Sequence, residues 1–367
     1  MKKTGTATLP LHGGRAPAWL FKRMKLLARE IGLAIVSEFG TGGFLERLSD
    51  PFWFQCLGAT VGFDWHSSGL TTTLCGAIKE GFRGLEHDTG IYIAGGKGLR
   101  ARNTPHEIRK FSDKTGLDPE PLIRASRLSA RVDNNALQDG FQIYHHLFVH
   151  DQSGEWIVIQ QGMSDREGLA RRYHWSGRNL GSFVNEPHSG ICSDGRVDAL
   201  NLVARESERV RGILPEIAAR SPEKNIEELK RITSSGEGLF DRLDMPRRHW
   251  INPATDIDPK RIERILLKTY LNPPADFTSL LETEGVGAKT IRALSLISEL
   301  IYGEKPSFRD PARFSFAVGG KDGIPYPVNR GVYDRTIEIM KTAIERAKVG
   351  NREKLDAVRR LMNFSRE

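Results

Sequence analysis

The sequence predicts an α+β protein in two parts: a mixed α/β domain over residues 1–185, then an all-α domain over 186–367 containing a helix-hairpin-helix at 276–302. Three observations carry this. Sequence rich in β-branched residues and glycine gives way after Ser193 to long helical periodicities. Two β-rich runs, Phe141–Val149 and Trp156–Gln161, flank a turn over Asp151–Glu155, which is the pattern of a hairpin. Gly285-Val286-Gly287 breaks a helix carrying Leu280 and Leu281, and a second helix restarts at Ala288 with Ile291, Leu294, Ile297 and Ile301 three or four apart.

Composition bounds the function classes. At 367 residues, with 39% hydrophobic and 27% charged, the chain is long enough for two cores and reads as globular. No stretch approaches the roughly 18–20 apolar residues that span a bilayer, and Met1-Lys2-Lys3 is followed by Thr and Gly where a secretory signal would place its apolar segment, so a cytoplasmic, nucleoid-associated protein is expected. Cys56, Cys75 and Cys192 have neither metal-ligand spacing nor an even count, and read as small buried hydrophobes. The formal charge of +8 favours nucleic-acid binding only in company with a site.

Taken in order, Thr4–Arg15 reads as a strand running into a loop, and Pro17–Ile31 as a helix with Leu20, Met24, Leu27 and Ile31 on one face and cations around the rest. Trp53–Phe63 is a closely packed core segment, followed by the polar cluster Asp64-Trp65-His66-Ser67-Ser68, in which a serine caps a helix over Leu70–Glu80 or the cluster presents chemistry. Pro105–Lys114 and Pro119–Leu128 are short helices. In the hairpin, alternation puts Tyr144 and His146 on one face and Ile143 and His145 on the other, while Glu155, Ile157, Ile159 and Gln161 share a face, so polar residues point inward. Arg171-Arg172-Tyr173-His174-Trp175 interleaves cations with aromatics, the composition that pairs phosphates and stacks bases. It reads equally as an ordinary cation-over-ring contact. Gly177–Ser193 is loop-like and holds the boundary; Val197–Ile213, Ile226–Ile232, Pro259–Tyr270, Thr336–Lys348 and Arg352–Phe364 read as helices.

The 276–302 stretch carries the functional expectation. Gly285 and Gly287 permit positive φ or close approach of the backbone to another surface, Val286 plugs the gap between the helices, and the amides opening the second helix at Lys289 and Thr290 face a phosphate oxygen. DNA, gripped by its duplex backbone, is the expected partner.

This C-terminal stretch, roughly Pro259 to Phe316, resembles the helix-hairpin-helix DNA glycosylase superfamily. The resemblance implies Lys289 as the lyase nucleophile and Asp310, followed by Pro311, as the helix-capping aspartate that assists it. Glu284 stands where that family usually has a proline. The whole chain also resembles a bacterial and archaeal family catalogued only as a domain of unknown function, through Leu137-Gln-Asp-Gly-Phe141, Gln160-Gln-Gly-Met163 and Ala170-Arg-Arg-Tyr-His-Trp175.

Three functions remain open at this point. In one, Lys289 attacks C1′ of a flipped nucleotide while Asp310 steadies positive charge. In another, the hairpin, with Arg171, Arg172 and Trp175, only binds DNA, and a divalent metal ion drawn by Asp64, Asp133, Asp139 and Glu155 serves a nuclease centre in the N-terminal domain. In the third, both parts bind nucleic acid without catalysis.

Overall fold

The computed structural model describes residues 16–63, 68–164, 168–178, 180–193, 197–234, 259–312 and 330–364. Asp64, the His12–Arg15 loop and the expected N-terminal strand lie outside these residues. The described chain opens with α1 (Ala18–Ser49), far longer than the periodicity to Ile31 predicts; it kinks at Gly40, whose φ of 71° departs from helical geometry. Asp50 caps α2 (Pro51–Thr60) by accepting from the backbone of Phe52 and Trp53, with Pro51 at the first helical position. After α3 (Gly69–Phe82) and α4 (Glu86–Thr89), strand β1 (Ile91–Lys97) leads to α5 (Leu99–Arg102), α6 (Thr104–Thr115) and α7 (Pro119–Arg131). A π-helix over Val132–Ala136 continues directly from α7.

Then come β2 (Leu137–Gln138), β3 (Gln142–Asp151), β4 (Trp156–Ser164), β5 (Leu169–Ser176), β6 (His188–Cys192) and β7 (Leu200–Asn201), followed by α8 (Glu208–Ala218) and α9 (Pro222–Ser234). The described chain closes with α10 (Pro259–Leu271), α11 (Phe277–Glu282), α12 (Ala288–Tyr302), α13 (Arg330–Arg346) and α14 (Asn351–Phe364). The expected hairpin is the centre of an antiparallel sheet of order β1-β3-β4-β5-β6. β2 pairs separately with β7.

Helices cover both faces of the large sheet. Ile91, Ile93, Leu147, Val149, Ile157 and Ile159 pack with α1, α2 and α3, and Met340 and Ile344 of α13 and Leu361 of α14 join the same core. The other face presents Phe148, Val158, Tyr173 and Trp175 to a core built from α7, α8, α11 and α12. Alternation along each strand makes this possible, because a strand covered on both sides sends successive side chains into different cores. The expectation of an all-α part beyond residue 186 is corrected: β6 and β7 lie there, and Asn201 forms a further bridge with Ser307. Among the described residues no helix is long and apolar enough to cross a membrane.

Candidate nucleic-acid interface and its buried polar support

The three stretches Leu137–Phe141, Gln160–Met163 and Ala170–Trp175 converge on β2, β4 and β5, where their polar side chains are buried. Arg171, Tyr173 and Trp175 turn toward the α7–α12 layer; Arg172 and His174 turn toward α2 and α3. Arg171 is fully buried. It donates from Nη1 to Asp139 at 2.9 Å and to Asp310 at 3.0 Å, and from Nη2 to Asp310 at 2.8 Å. The Tyr173 hydroxyl donates to Asp139 at 2.7 Å, and the Arg171 guanidinium lies 4.7 Å from the Phe141 ring centre. Burial alone lowers the Arg171 pKa, but Asp139 and Asp310 outweigh it and hold the cation above its ordinary range. Burial pushes the Asp139 carboxyl up against the opposing pull of Arg171 and Tyr173.

On the opposite face Arg172 donates from Nε to His174 Nε2 at 2.8 Å, from Nη1 to the Thr71 hydroxyl at 3.2 Å and from Nη2 to Gln55 Oε1 at 2.9 Å, and sits 4.7 Å from the Phe54 ring centre. These contacts correct the reading of Arg171, Arg172 and Trp175 as a DNA-binding surface. All three are 0% exposed, so none reaches a phosphate or a base in this fold.

Asp310 is likewise committed. Besides Arg171 it accepts from the Val197 amide at 2.7 Å and the Ala312 amide at 2.8 Å, which occupies both oxygens of a carboxylate only 3% exposed. A carboxylate whose charge is compensated by a buried arginine is poorly suited to steady a developing cation on DNA, and the role assigned to Asp310 is corrected to anchoring Arg171.

Asp133 reaches a second network because the π-helix carries it inward. π-bulges of this kind often occur at functional positions. Its Oδ2 accepts from Gln160 Nε2 at 2.6 Å and from Trp175 Nε1 at 2.9 Å, and its Oδ1 lies 2.5 Å from His188 Nε2. Because the Gln160 amide donates to Asp133, its carbonyl faces His146 Nδ1 at 3.0 Å, which assigns the proton to Nδ1. His146 Nε2 then accepts from the Ser126 hydroxyl at 2.8 Å. The result is an unbroken hydrogen-bonded chain from α7 to β6.

Asp133, Asp139 and Glu155 therefore serve three separate sets of partners, the last pairing with Arg178 at 3.3 Å at the end of the sheet hairpin. Among the described residues no three His, Cys, Asp or Glu side chains stand together as a metal-binding group. The expected metal pool is not brought together. His188, which sequence reasoning passed over, was signalled only as a histidine in a loop of Asn, Pro, Ser and Gly.

Helices α11 and α12 flank the turn at Gly285–Gly287. Asp276 caps α11 in a reciprocal pair with Ser279. Gly285 adopts φ 92°, the region that favours glycine, and Val286 is buried between the helices. Gly287 differs from expectation: at φ −138° and ψ −175° it is extended backbone open to any residue, and a Cβ there would meet nothing within 4 Å. As the N-cap of α12 it makes no side-chain hydrogen bond to the first turn. Lys289 is half-buried in that first turn, whereas Thr290 to Ser298 are buried.

The hairpin is tied to the rest of the fold. Gln138 donates to the Ala288 carbonyl at 2.9 Å and accepts from Arg292 Nε at 2.9 Å, and Arg131 donates to the Leu281 carbonyl. Acidic side chains beside the turn are neutralised, Glu284 by Lys268 at 2.8 Å and Glu282 by Arg124 at 2.7 Å. These bonds join the α11–α12 turn to the buried polar core.

A family model described as "Protein of unknown function (DUF763)" matches residues 5–328, and the chain belongs to that family. No curated protein matches, and no solved structure matches. The resemblance to helix-hairpin-helix DNA glycosylases finds no support in these comparisons.

Proposed function

We propose that this protein binds duplex DNA through the hairpin of α11 and α12 and belongs to a DNA-processing, repair-type activity. The observation that carries the reading is the start of α12: the positive end of a 15-residue helix that no side chain of its N-cap residue covers, Gly287 with open space where a side chain would stand, and Lys289 in the first turn. The formal charge of +8 and the neutralised Glu282 and Glu284 remove the repulsion that would otherwise oppose a phosphate there. Such a protein would work on the nucleoid. With Asp310 bound to Arg171, the lyase chemistry expected at Lys289 loses its assisting carboxylate. We therefore assign the hairpin the grip rather than the reaction.

Gly287→Val gives a clean test because the fold does not need glycine there. The substitution is expected to leave the melting temperature unchanged while weakening duplex binding about tenfold, since an isopropyl group now stands between the amides and a phosphate. Lys289→Ala is expected to lower the slope of log K against log salt by about 0.9, the loss of one phosphate contact. Fluorescence anisotropy at 50, 100 and 200 mM salt, in EDTA, measures both. Binding by the wild type no tighter than that of an unrelated protein of equal charge would overturn the proposal, as would two variants that bind like wild type.

A further inference from the structure

A cleft of about 460 Å³ opens between α3, strand β1 and α6, and no residue of the α11–α12 hairpin lines it. One end is fixed by Lys79, whose Nζ donates to Glu107 at 2.7 Å and to the Gly95 carbonyl at 2.7 Å, while the Gly95 amide donates to the same carboxylate at 2.6 Å. These bonds tie the three elements together. Phe82, Ile91 and Ile93 close the cleft beneath, and the half-buried Phe111 forms an apolar wall. At the mouth stand Arg83, His106, Lys110 and Lys114.

The charges at that mouth do not balance. His106, Lys110 and Lys114 follow one another at four-residue steps along α6, all three exposed on one helix face, and like charges at that spacing repel. Glu107, the lining carboxylate of the same helix, is neutralised by Lys79. Among the described residues neither Lys110 nor Lys114 forms an ion pair. The other lining carboxylate, Glu86, accepts from the Gly84 amide at 2.9 Å. An anion seated between the two lysines relieves a repulsion that the protein itself leaves in place.

We infer that this cleft binds a nucleoside 5′-phosphate, with its phosphate at Lys110 and Lys114, its base against Phe111, and the Asn103 carboxamide at the rim offering the base edge both a donor and an acceptor. The ligand has two parts because the lining has two parts. Inorganic phosphate would leave the Phe111 wall uncovered, and a wholly apolar molecule would leave the lysines unsatisfied. A base laid on an aromatic ring and a phosphate held by cations is the pairing that holds nucleotides whatever the base. The volume falls within the roughly 300–1,000 Å³ of small-molecule sites. A free nucleotide and the phosphorylated 5′ end of a strand present this same chemistry. The site is independent of the duplex reading, since the hairpin contributes none of its residues.

The test is calorimetric titration of the full chain with AMP, CMP, GMP and UMP in turn, beside inorganic phosphate and the matching nucleosides. One nucleotide per chain is expected, bound at least tenfold more tightly than phosphate or its own nucleoside. Lys110→Glu and Lys114→Glu, at exposed positions, should each weaken it at least tenfold without lowering the melting temperature. Lys22→Glu, the same charge change at an exposed position of α1 outside the cleft, should not. A 5′-phosphorylated tetranucleotide separates the two sources: tighter binding than the mononucleotide, lost in Lys110→Glu, assigns the site to a strand end, and weaker binding assigns it to the free nucleotide. No saturable binding by any of the four, phosphate bound as tightly as the nucleotide, or equal losses in Lys110→Glu and Lys22→Glu would overturn the inference. Mononucleotide binding unchanged in Gly287→Val keeps this site apart from the hairpin's grip on a duplex.

Discussion

Arg171→Met is expected to destabilise the protein by about 3–5 kcal/mol, because it removes one partner of a buried ion cluster and leaves Asp139 and Asp310 with uncompensated charge. Those carboxylates are 1% and 3% exposed, so water cannot substitute for the guanidinium. Against a typical total of about 5–15 kcal/mol for a domain, this is a large fraction. The physical cause can be isolated by also removing the acids. Arg171→Met combined with Asp139→Asn and Asp310→Asn is expected to recover more than half of the loss, since a neutral set of similar volume escapes the desolvation penalty. Urea unfolding of the two variants measures this; a single variant within about 1 kcal/mol of wild type would show that the cluster does not hold the sheet to the 310 segment.

Much of this was legible where local sequence and final environment agree. The β3–β4 hairpin was readable because β-branched residues alternate on either side of a turn, and burial of Ile157 and Ile159 on one face and Val158 on the other follows from that alternation. Helices α10 and α14 kept the limits that their periodicity implies, and Gly285 took the positive φ expected of it. Strand β5 was not legible. Arg171 and Arg172 are adjacent charges, which ordinarily mark a surface, and the groups that make their burial tolerable come from distant positions: Asp139 and Asp310 for one, Gln55 and Thr71 for the other. A sequence shows the charge but not the partner that neutralises it. The same applies to His188, whose significance depends on Asp133, 55 residues away and turned inward by a π-helix. Gly287 illustrates the converse, a glycine where backbone geometry does not demand one.

Acid is expected to unfold this protein well before its carboxylates titrate. Burial first, and then the neighbouring His146, Lys97 and Lys79, hold the His145 pKa down at about 3; burial also lowers His146, His150 and His174. In the unfolded chain each imidazole binds a proton as pH falls through about 6.5, while the folded protein keeps these rings neutral. The unfolded state then carries more protons, so stability is complete above about pH 6.5 and declines below it, by about 1.4 kcal/mol per pH unit for every histidine that stays neutral. For His145 the decline continues to about pH 3. The melting temperature should therefore fall steeply between pH 6.5 and 5. His145→Leu should flatten the slope by one proton: both ring nitrogens of His145 are buried without hydrogen bonds, so at pH 7 the variant is expected to be at least as stable as wild type. Melting temperatures that stay level from pH 7.5 to 5 would mean the folded rings accept protons as readily as the unfolded ones, which their burial between the sheet and its covering helices does not permit.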